Sequence, residues 1–403
     1  MLSVEQEDAL IAIKEKKNVF ISGNAGTGKS YLLKHIKETI PNIHITASTG
    51  IAAVNVGGQT LHSWSGIGLG TLPANKLTFS GKVISRIKLA KILAIDEISM
   101  ISAEMLDLVN DVTKLIRKNE NAFGGIQVIF FGDFFQLPPV KGDFCFNSKT
   151  WEELGMKSII LKKVFRQSDE VFVNLLNNIR HANLTTEDIS LLSDRIKCKC
   201  NDIIQPTRLV SHNEQADRIN KTELDKIDNK IHTFKAKYRG TDQLKIEFLK
   251  KNCVAYDTLD LKIGASVMML RNTYSEQGII NGSVGIVKDI SVYPVVLFEN
   301  GIQLSIIPEV WALERYDDIM GKLVTEASIE QIPLIFSWAI TIHKSQGMTL
   351  NKIRCDLSKV FTYGQSYVAL SRVKTLDGLY IDDIDFHKIR TSELIVDFYE
   401  NIK

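Results

Sequence analysis

Residues 23–30, Gly-Asn-Ala-Gly-Thr-Gly-Lys-Ser, fit the spacing G-x-x-x-x-G-K-[ST]. Gly23, Gly26 and Gly28 leave room for backbone N–H groups to approach a polyphosphate, where side chains would obstruct it. Thr27 lies in the same nucleotide-holding stretch. Lys29 offers a fixed cation to the β and γ phosphates of ATP, and the Ser30 hydroxyl suits Mg²⁺. A complementary pair follows at Asp96-Glu97. Asp96 can hold the metal through water, and Glu97 can orient or deprotonate an attacking water. Gln136, in the stretch Gly132-Asp-Phe-Phe-Gln-Leu-Pro-Pro-Val140, can report a γ-phosphate without neutralising it. Pro138 and Pro139 also stiffen that loop.

Such residues need elements that bring them to one edge. Asn18–Ser22 predicts a short apolar strand, and Ser30–Ile40 a helix stopped at Pro41. The glycine loop then joins strand to helix, as phosphate chemistry requires. Ile92–Ile95 predicts a buried parallel strand with the acid pair at its end, and Val128–Gly132 predicts another. Ligands of open α/β sheets bind at that carboxyl edge. Strand and helix alternate from residue 1 to about 160, which predicts an α/β unit with a doubly wound parallel sheet.

Gly57–Lys82 interrupts it, glycine-rich and without sustained periodicity, and predicts a loop or small protrusion. Residues 161–211 look helical and end in a strand, Thr207–Ser211; residues 212–260 are weakly patterned. From 262 to about 310, short strands separated by Asn-Gly turns predict a small β-barrel-like module. Residues 332–382 return to α/β texture, so the module is expected inside a second α/β unit. That unit carries a polar loop after a strand, with Thr341, His343, Lys344, Ser345, Gln346 and Gly347. Arg372 emerges near the end of a helix, and Arg166 just precedes one. Each arginine alone reads as a surface ion-pair residue; facing a cleft between two α/β units, either would answer charge developing on a γ-phosphate.

The 403-residue length implies two or more domains, and 44% hydrophobic with 24% charged residues is a globular composition. No apolar run is long enough for a membrane span. The first residues carry acids early and no cleavage pattern, so neither signal nor transit peptide is read and a cytoplasmic protein is expected, nucleoid-associated if bacterial. A net charge of +2 leaves nucleic acid open as a partner. Five scattered cysteines argue against a disulfide framework or zinc site and for a reducing compartment.

Taken in order, Gln6-Glu-Asp-Ala-Leu, the glycine loop, Thr46–Ala53, Gly57–Trp64, Asp96–Met100, Gly132–Val140, Val164–Phe172, Ile342–Leu350 and Tyr367–Leu379 resemble a superfamily-one DNA helicase of the PIF (petite integration frequency) type, related to RecD. The resemblance implies two RecA-like domains, 1–164 and 165–403, with ATP in the cleft. It implies a wedge insertion at about 57–82 and an SH3-like β insertion at about 262–330. It implies 5′-to-3′ movement on single-stranded DNA, unwinding at duplex junctions, a monomer, and roles in DNA repair and recombination. By the same resemblance Gln6 reads adenine, Arg166 and Arg372 meet the γ-phosphate, and Gln346 and Gly347 lie near it. Thr49, His62, Ser63, His343 and Ser345 line the DNA path. Trp64, at the foot of the insertion, either stacks on a base or packs the domain. The family usually has glycine where this chain has Ala182, which puts the local helix geometry in question. An RNA-directed helicase, or a P-loop ATPase that never touches nucleic acid, are the alternatives.

Overall fold

The computed structural model describes residues 2–68, 70–317 and 322–402. Strands β1 (Val19–Gly23), β2 (Ile43–Ala47), β3 (Gln59–Thr60), β4 (Ile92–Asp96), β5 (Gln127–Phe131) and β6 (Lys157–Leu161) form a six-stranded parallel sheet in the order β3-β2-β4-β5-β1-β6. Every residue of β1 is buried, because both faces of the sheet are covered. Side chains alternate between two cores. Val19 and Ile21 pack with Leu32, Leu33 and Ile36 of helix Lys29–Thr39. Phe20 enters the opposite core with Leu106 and Val109 of helix Ala103–Arg117. The doubly wound sheet expected of the first half is present.

A second, four-stranded parallel sheet sets Ala339–Thr341, Thr207–Val210, Ile353–Asp356 and Leu379–Asp383 side by side in that order. The chain between its first two strands in sequence is β-rich over more than the expected stretch of 262–330. His232–Lys235 pairs with Thr258–Leu261, and Lys237–Gly240 with Lys322–Gln331. Leu334–Phe336 closes a five-stranded antiparallel sheet beyond the expected end. The two early strands have no fully buried residue, so their hydrophobic alternation is faint. Gly57–Lys82 is also more than a protrusion: it contains helix Leu61–Ser65, and Leu61, Trp64 and Ile67 are buried in the same core as Phe20.

The last helix, Glu393–Asn401, crosses back to the first sheet. Phe398 stacks on Phe146 at 4.3 Å, and Tyr399 on Phe135 at 5.0 Å. The Tyr399 hydroxyl lies 2.5 Å from Ser22 Oγ and accepts the Phe134 N–H at 3.2 Å. Residues far apart in sequence thus share the core beneath the glycine loop.

Ala182 ends helix Glu170–His181 in the left-handed region, at φ 57° and ψ 30°. Glycine takes that cap without the Cβ penalty of about 1–2 kcal/mol, less its larger entropy in the unfolded chain. Ala182→Gly should therefore raise unfolding stability by about 0.5–1 kcal/mol in a urea titration. A lower midpoint would show that the cap is unstrained.

Candidate active site

Parallel strands end on one edge, and the chemistry lies there. His62 and Ser63 follow β3, Thr49 follows β2, Asp96-Glu97 end β4, Asp133 follows β5, the glycine loop follows β1, and Arg166 follows β6.

Gly26 and Gly28 hold φ values of 82° and 87°. A Cβ on Gly26 would stand 2.6 Å from Arg166 Cβ, and one on Gly28 2.8 Å from Gln6 Nε2, so only glycine allows these approaches. Gly23 also has positive φ, and the buried Thr27 donates its hydroxyl to Asn24 O at 2.8 Å. Lys29 folds back over the loop: its Nζ donates to Gly23 O at 2.5 Å and Asn24 O at 3.1 Å. Burial pushes its pKa down, against the opposing pull of Asp133 and Glu97. Ser30 is exposed in the first turn of the helix that Gly28 caps. Gln6 is buried; its Oε1 accepts the Ser3 N–H at 3.0 Å and its Nε2 reaches Gly28 O at 3.4 Å.

Glu97 adopts left-handed backbone angles, φ 52° and ψ 47°, a strained choice for a non-glycine residue. Its N–H donates to Asp96 Oδ1 at 3.0 Å. Burial raises both carboxyl pKa values; Glu97's charge adds to the rise at Asp96, which reaches about 7, while Lys29 and Arg372 draw Glu97 partly back. Glu97 Oε2 is buried without a hydrogen-bond partner among the described residues. Two adjacent half-buried carboxylates, one with a buried unpartnered oxygen, fit a hard divalent cation.

Asp133 was not singled out in the sequence. It is fully buried and receives Arg180 Nη2 at 2.8 Å and Nε at 3.3 Å. The Arg180 guanidinium also lies 4.0 Å from the centre of the Phe135 ring. Gln136 turns its amide toward Asp133 Oδ2, at 3.4 Å. Tyr367 and Asn177 likewise come from distant parts of the sequence: Ala25 N–H donates to Tyr367 Oη at 2.9 Å, and Asn24 Nδ2 to Asn177 Oδ1 at 2.6 Å. Asp133, Arg180 and Tyr367 all lie within or just after recognisable motifs, but their pairing is tertiary and carries no local signal.

Arg166 and Arg372 do face this edge. Arg166 Nε donates to Thr349 Oγ1 at 3.0 Å and Nη1 to Ser371 O at 3.1 Å. Arg372 Nε donates to Val368 O at 2.9 Å and Nη2 to Ser371 Oγ at 2.9 Å. Burial lowers their pKa values to about 9 and about 10, with Glu97's charge pulling Arg372 the other way. Both guanidinium groups thus rest on neutral oxygens, and Arg372 also lies within reach of Glu97's charge. Gln346 Nε2 is buried without a partner among the described residues, and Gly347 is exposed at φ 78°.

The residues expected along a nucleic-acid path divide. Ser63 is exposed, and His62 and His343 are half-buried with imidazole pKa values depressed by burial. Thr49 Oγ1 accepts the Ala52 N–H at 3.2 Å, capping helix Gly50–Asn55. Two expectations need correction. Trp64 is fully buried and donates its indole N–H to His44 at 3.3 Å, so it packs the domain and has no free face for a base. Ser345 has no exposed surface and donates to Ile342 O at 2.7 Å, so it stands behind the edge in this conformation. Helix Gln243–Asn252 also presses on this end of the sheet: a Cβ on Gly50 would collide with the Asn252 side chain. Lys37 Nζ pairs with Glu314 at 2.9 Å nearby.

Comparison with known proteins places this geometry. The sequence model of the family described as PIF1-like helicase matches residues 1–189, and that of the DNA helicase Pif1 2B domain matches residues 246–290. The Danio rerio ATP-dependent DNA helicase PIF1 is 37% identical over all of this chain, which spans 64% of that protein's length. A Bacteroides Pif1 crystallised with ADP-AlF4 superimposes with a TM-score of 0.89 at 32% identity, covering 100% of this chain and 97% of that one. A Bacteroides Pif1 bound to ssDNA gives a TM-score of 0.68 at 34% identity, over 100% and 97% of the two chains.

The raised Asp96 carboxyl has a measurable consequence. The unfolded chain ionises Asp96 near pH 4, but the folded chain does so only near pH 7. Between those values the folded state holds the extra proton, so this group's contribution to stability falls as pH rises from about 4 to about 7. Asp96→Asn, without nucleotide or metal, should be more stable than wild type at pH 8 by about 1–3 kcal/mol and should converge with it near pH 4. Parallel stability curves for the two proteins would show that Asp96 titrates normally.

Proposed function

This chain belongs to the PIF1-like helicase family, and on that premise we propose that it is an ATP-dependent DNA helicase moving 5′ to 3′ on single-stranded DNA. The observation that carries this is the meeting of Lys29, Asp96 and Glu97 on one sheet with Arg372 from the other half of the chain. We divide the chain into two RecA-like domains, 1–164 and 165–403, with the wedge at about 57–82 and the β insertion within the second domain.

ATP lies with its phosphates over the glycine loop, where Lys29 leaves the Gly23 and Asn24 carbonyls for the β and γ phosphates. Gln6, fixed beside Gly28, sits at the adenine end. Ser30 and Asp96 would hold Mg²⁺, which would supply positive charge against the developing charge of the phosphates. Glu97 takes the proton of the attacking water; its burial lifts its pKa toward the working pH, as a general base needs. Gln136 reports the γ-phosphate when it turns from Asp133, and Gln346 and Gly347 complete that end from the second domain. Arg166 and Arg372 exchange neutral oxygens for the charge that develops in transfer. Such charge is strongest in the transition state, so their effect falls on turnover more than on affinity.

Thr49, His62 and Ser63 on the first carboxyl edge, and His343 on the second, meet the DNA backbone. Such contacts carry no sequence code. Asn252 of helix Gln243–Asn252 lies against Gly50, next to Thr49. Closure on ATP and opening after hydrolysis then alternate the grip of the two domains. A strand-displacement assay decides the reading: a duplex with a 5′ single-stranded tail should be unwound with ATP, and one with a 3′ tail should not. Unwinding of the 3′-tailed substrate would reverse the polarity. DNA-independent turnover without unwinding would assign the chain to ATPases outside nucleic-acid work, and unwinding of RNA alone to RNA helicases.

Glu97→Gln should retain ATP binding while losing at least about 10²-fold in turnover, since the amide keeps the shape but takes no proton. Equilibrium binding of a fluorescent ATP analogue, read beside steady-state hydrolysis, checks this. Equal loss of both would make Glu97 a binding group instead.

A further inference from the structure

We propose that Phe361, backed by His212 and flanked by Tyr363, is a base-stacking platform for single-stranded DNA at the carboxyl edge of the second sheet. This rests on the single-stranded DNA reading above and adds a site to it. Phe361 and Tyr363 lie in the loop between strand Ile353–Asp356 and helix Gln365–Leu370, and their side chains are 60% and 40% exposed. The Phe361 ring stacks on the His212 ring at 6.2 Å with an interplanar angle of 29°. The Arg390 guanidinium lies 5.5 Å from the centre of the Tyr363 ring. Lys359, at the start of the loop, is paired with Asp356 at 2.5 Å, and the cation over the Tyr363 ring is Arg390's.

The loop is held, although its rings face water. Phe361 N–H donates to Gln365 Oε1 at 3.0 Å, and Gln365 is fully buried. Gly364 packs so tightly on the other half of the cleft that a Cβ would stand 2.4 Å from Phe135 O and 2.3 Å from Gln136 O. The platform loop therefore touches the Gln136 loop directly.

Its neighbours give the occupant. Strands Ala339–Thr341, Thr207–Val210 and Ile353–Asp356 are adjacent in that order. Their following residues include His343 with Lys344, then His212, then Phe361. At about 4.8 Å per strand, these positions cover a line of roughly 10 Å. A nucleic-acid strand crossing the edge at His343 meets the aromatic ring within the reach of a few nucleotides. A flat ring with an imidazole behind it, close in the loop to a tyrosine faced by an arginine, suits a nucleobase face, whereas a protein helix needs an apolar groove.

The test is fluorescence anisotropy with a dye-labelled oligothymidylate and a base-free (abasic) strand of equal length. Phe361→Ala should weaken oligothymidylate binding by roughly 5- to 100-fold and leave the abasic strand unaffected. Phe361→Tyr should bind like wild type. The unfolding midpoint should not move, since the ring is exposed. If Phe361→Ala binds oligothymidylate as wild type does, or loses both strands equally, the platform is overturned while the helicase reading stands. If wild type binds neither strand, that reading falls and the platform with it.

Discussion

Charge kept out of water at one sheet edge is the constraint on which the rest of the structure depends. Asp96, Glu97, Asp133, Lys29 and Arg180 converge at the carboxyl ends of β1, β4 and β5. Buried ions cost several kcal/mol each unless paired. Asp133 meets that cost through the two-bond contact with Arg180 and three further donors, the Phe135 N–H, the Gln136 amide and the Tyr399 hydroxyl, and its pKa falls despite burial. Asp96 and Glu97 have no such partner, and their pKa values rise. One carboxylate is settled structurally, and the other two are those to which the proposed function assigns a cation and a proton. That difference separates scaffold from chemistry within a single edge.

The scaffold part also joins the two halves of the chain. Arg180 lies in the last turn of helix Glu170–His181, and Tyr399 belongs to the last helix, yet both rest on residues beside the glycine loop. Tyr367 holds Ala25, and Asn177 holds Asn24, from the same side. The loop is therefore held by residues more than 150 positions away in the chain. A change in how the halves sit is felt at the phosphate site without any long relay, because the contacts are direct.

Much of this was legible in the residues. The glycine loop between strand and helix, the acids at the end of β4 and the parallel alternation of the first half follow from local pattern. Arg166 and Arg372 were assigned by resemblance, and the fold does bring both to the edge. What stayed hidden was tertiary. Asp133 and Arg180 are 47 residues apart and read singly as loop and surface charges. Strands His232–Lys235 and Lys237–Gly240 bury one side only partly, so their alternation is weak. Trp64 could be read two ways because its neighbours include both glycine and core residues; the structure gives its whole surface to packing. Ala182 shows that a departure from glycine leaves the left-handed cap in place and changes only its cost.

The central claim is that the second half of the chain answers charge developing on ATP held by the first. Steady-state hydrolysis by Arg372→Ala, with single-stranded DNA present and ADP-aluminium fluoride binding measured alongside, tests it most directly. An arginine acting across the cleft predicts a fall in kcat of roughly 10³-fold or more, a much smaller change in ATP affinity, and loss of the extra affinity for the transition-state mimic over ADP. Turnover within a few-fold of wild type, with the mimic still preferred, would contradict it.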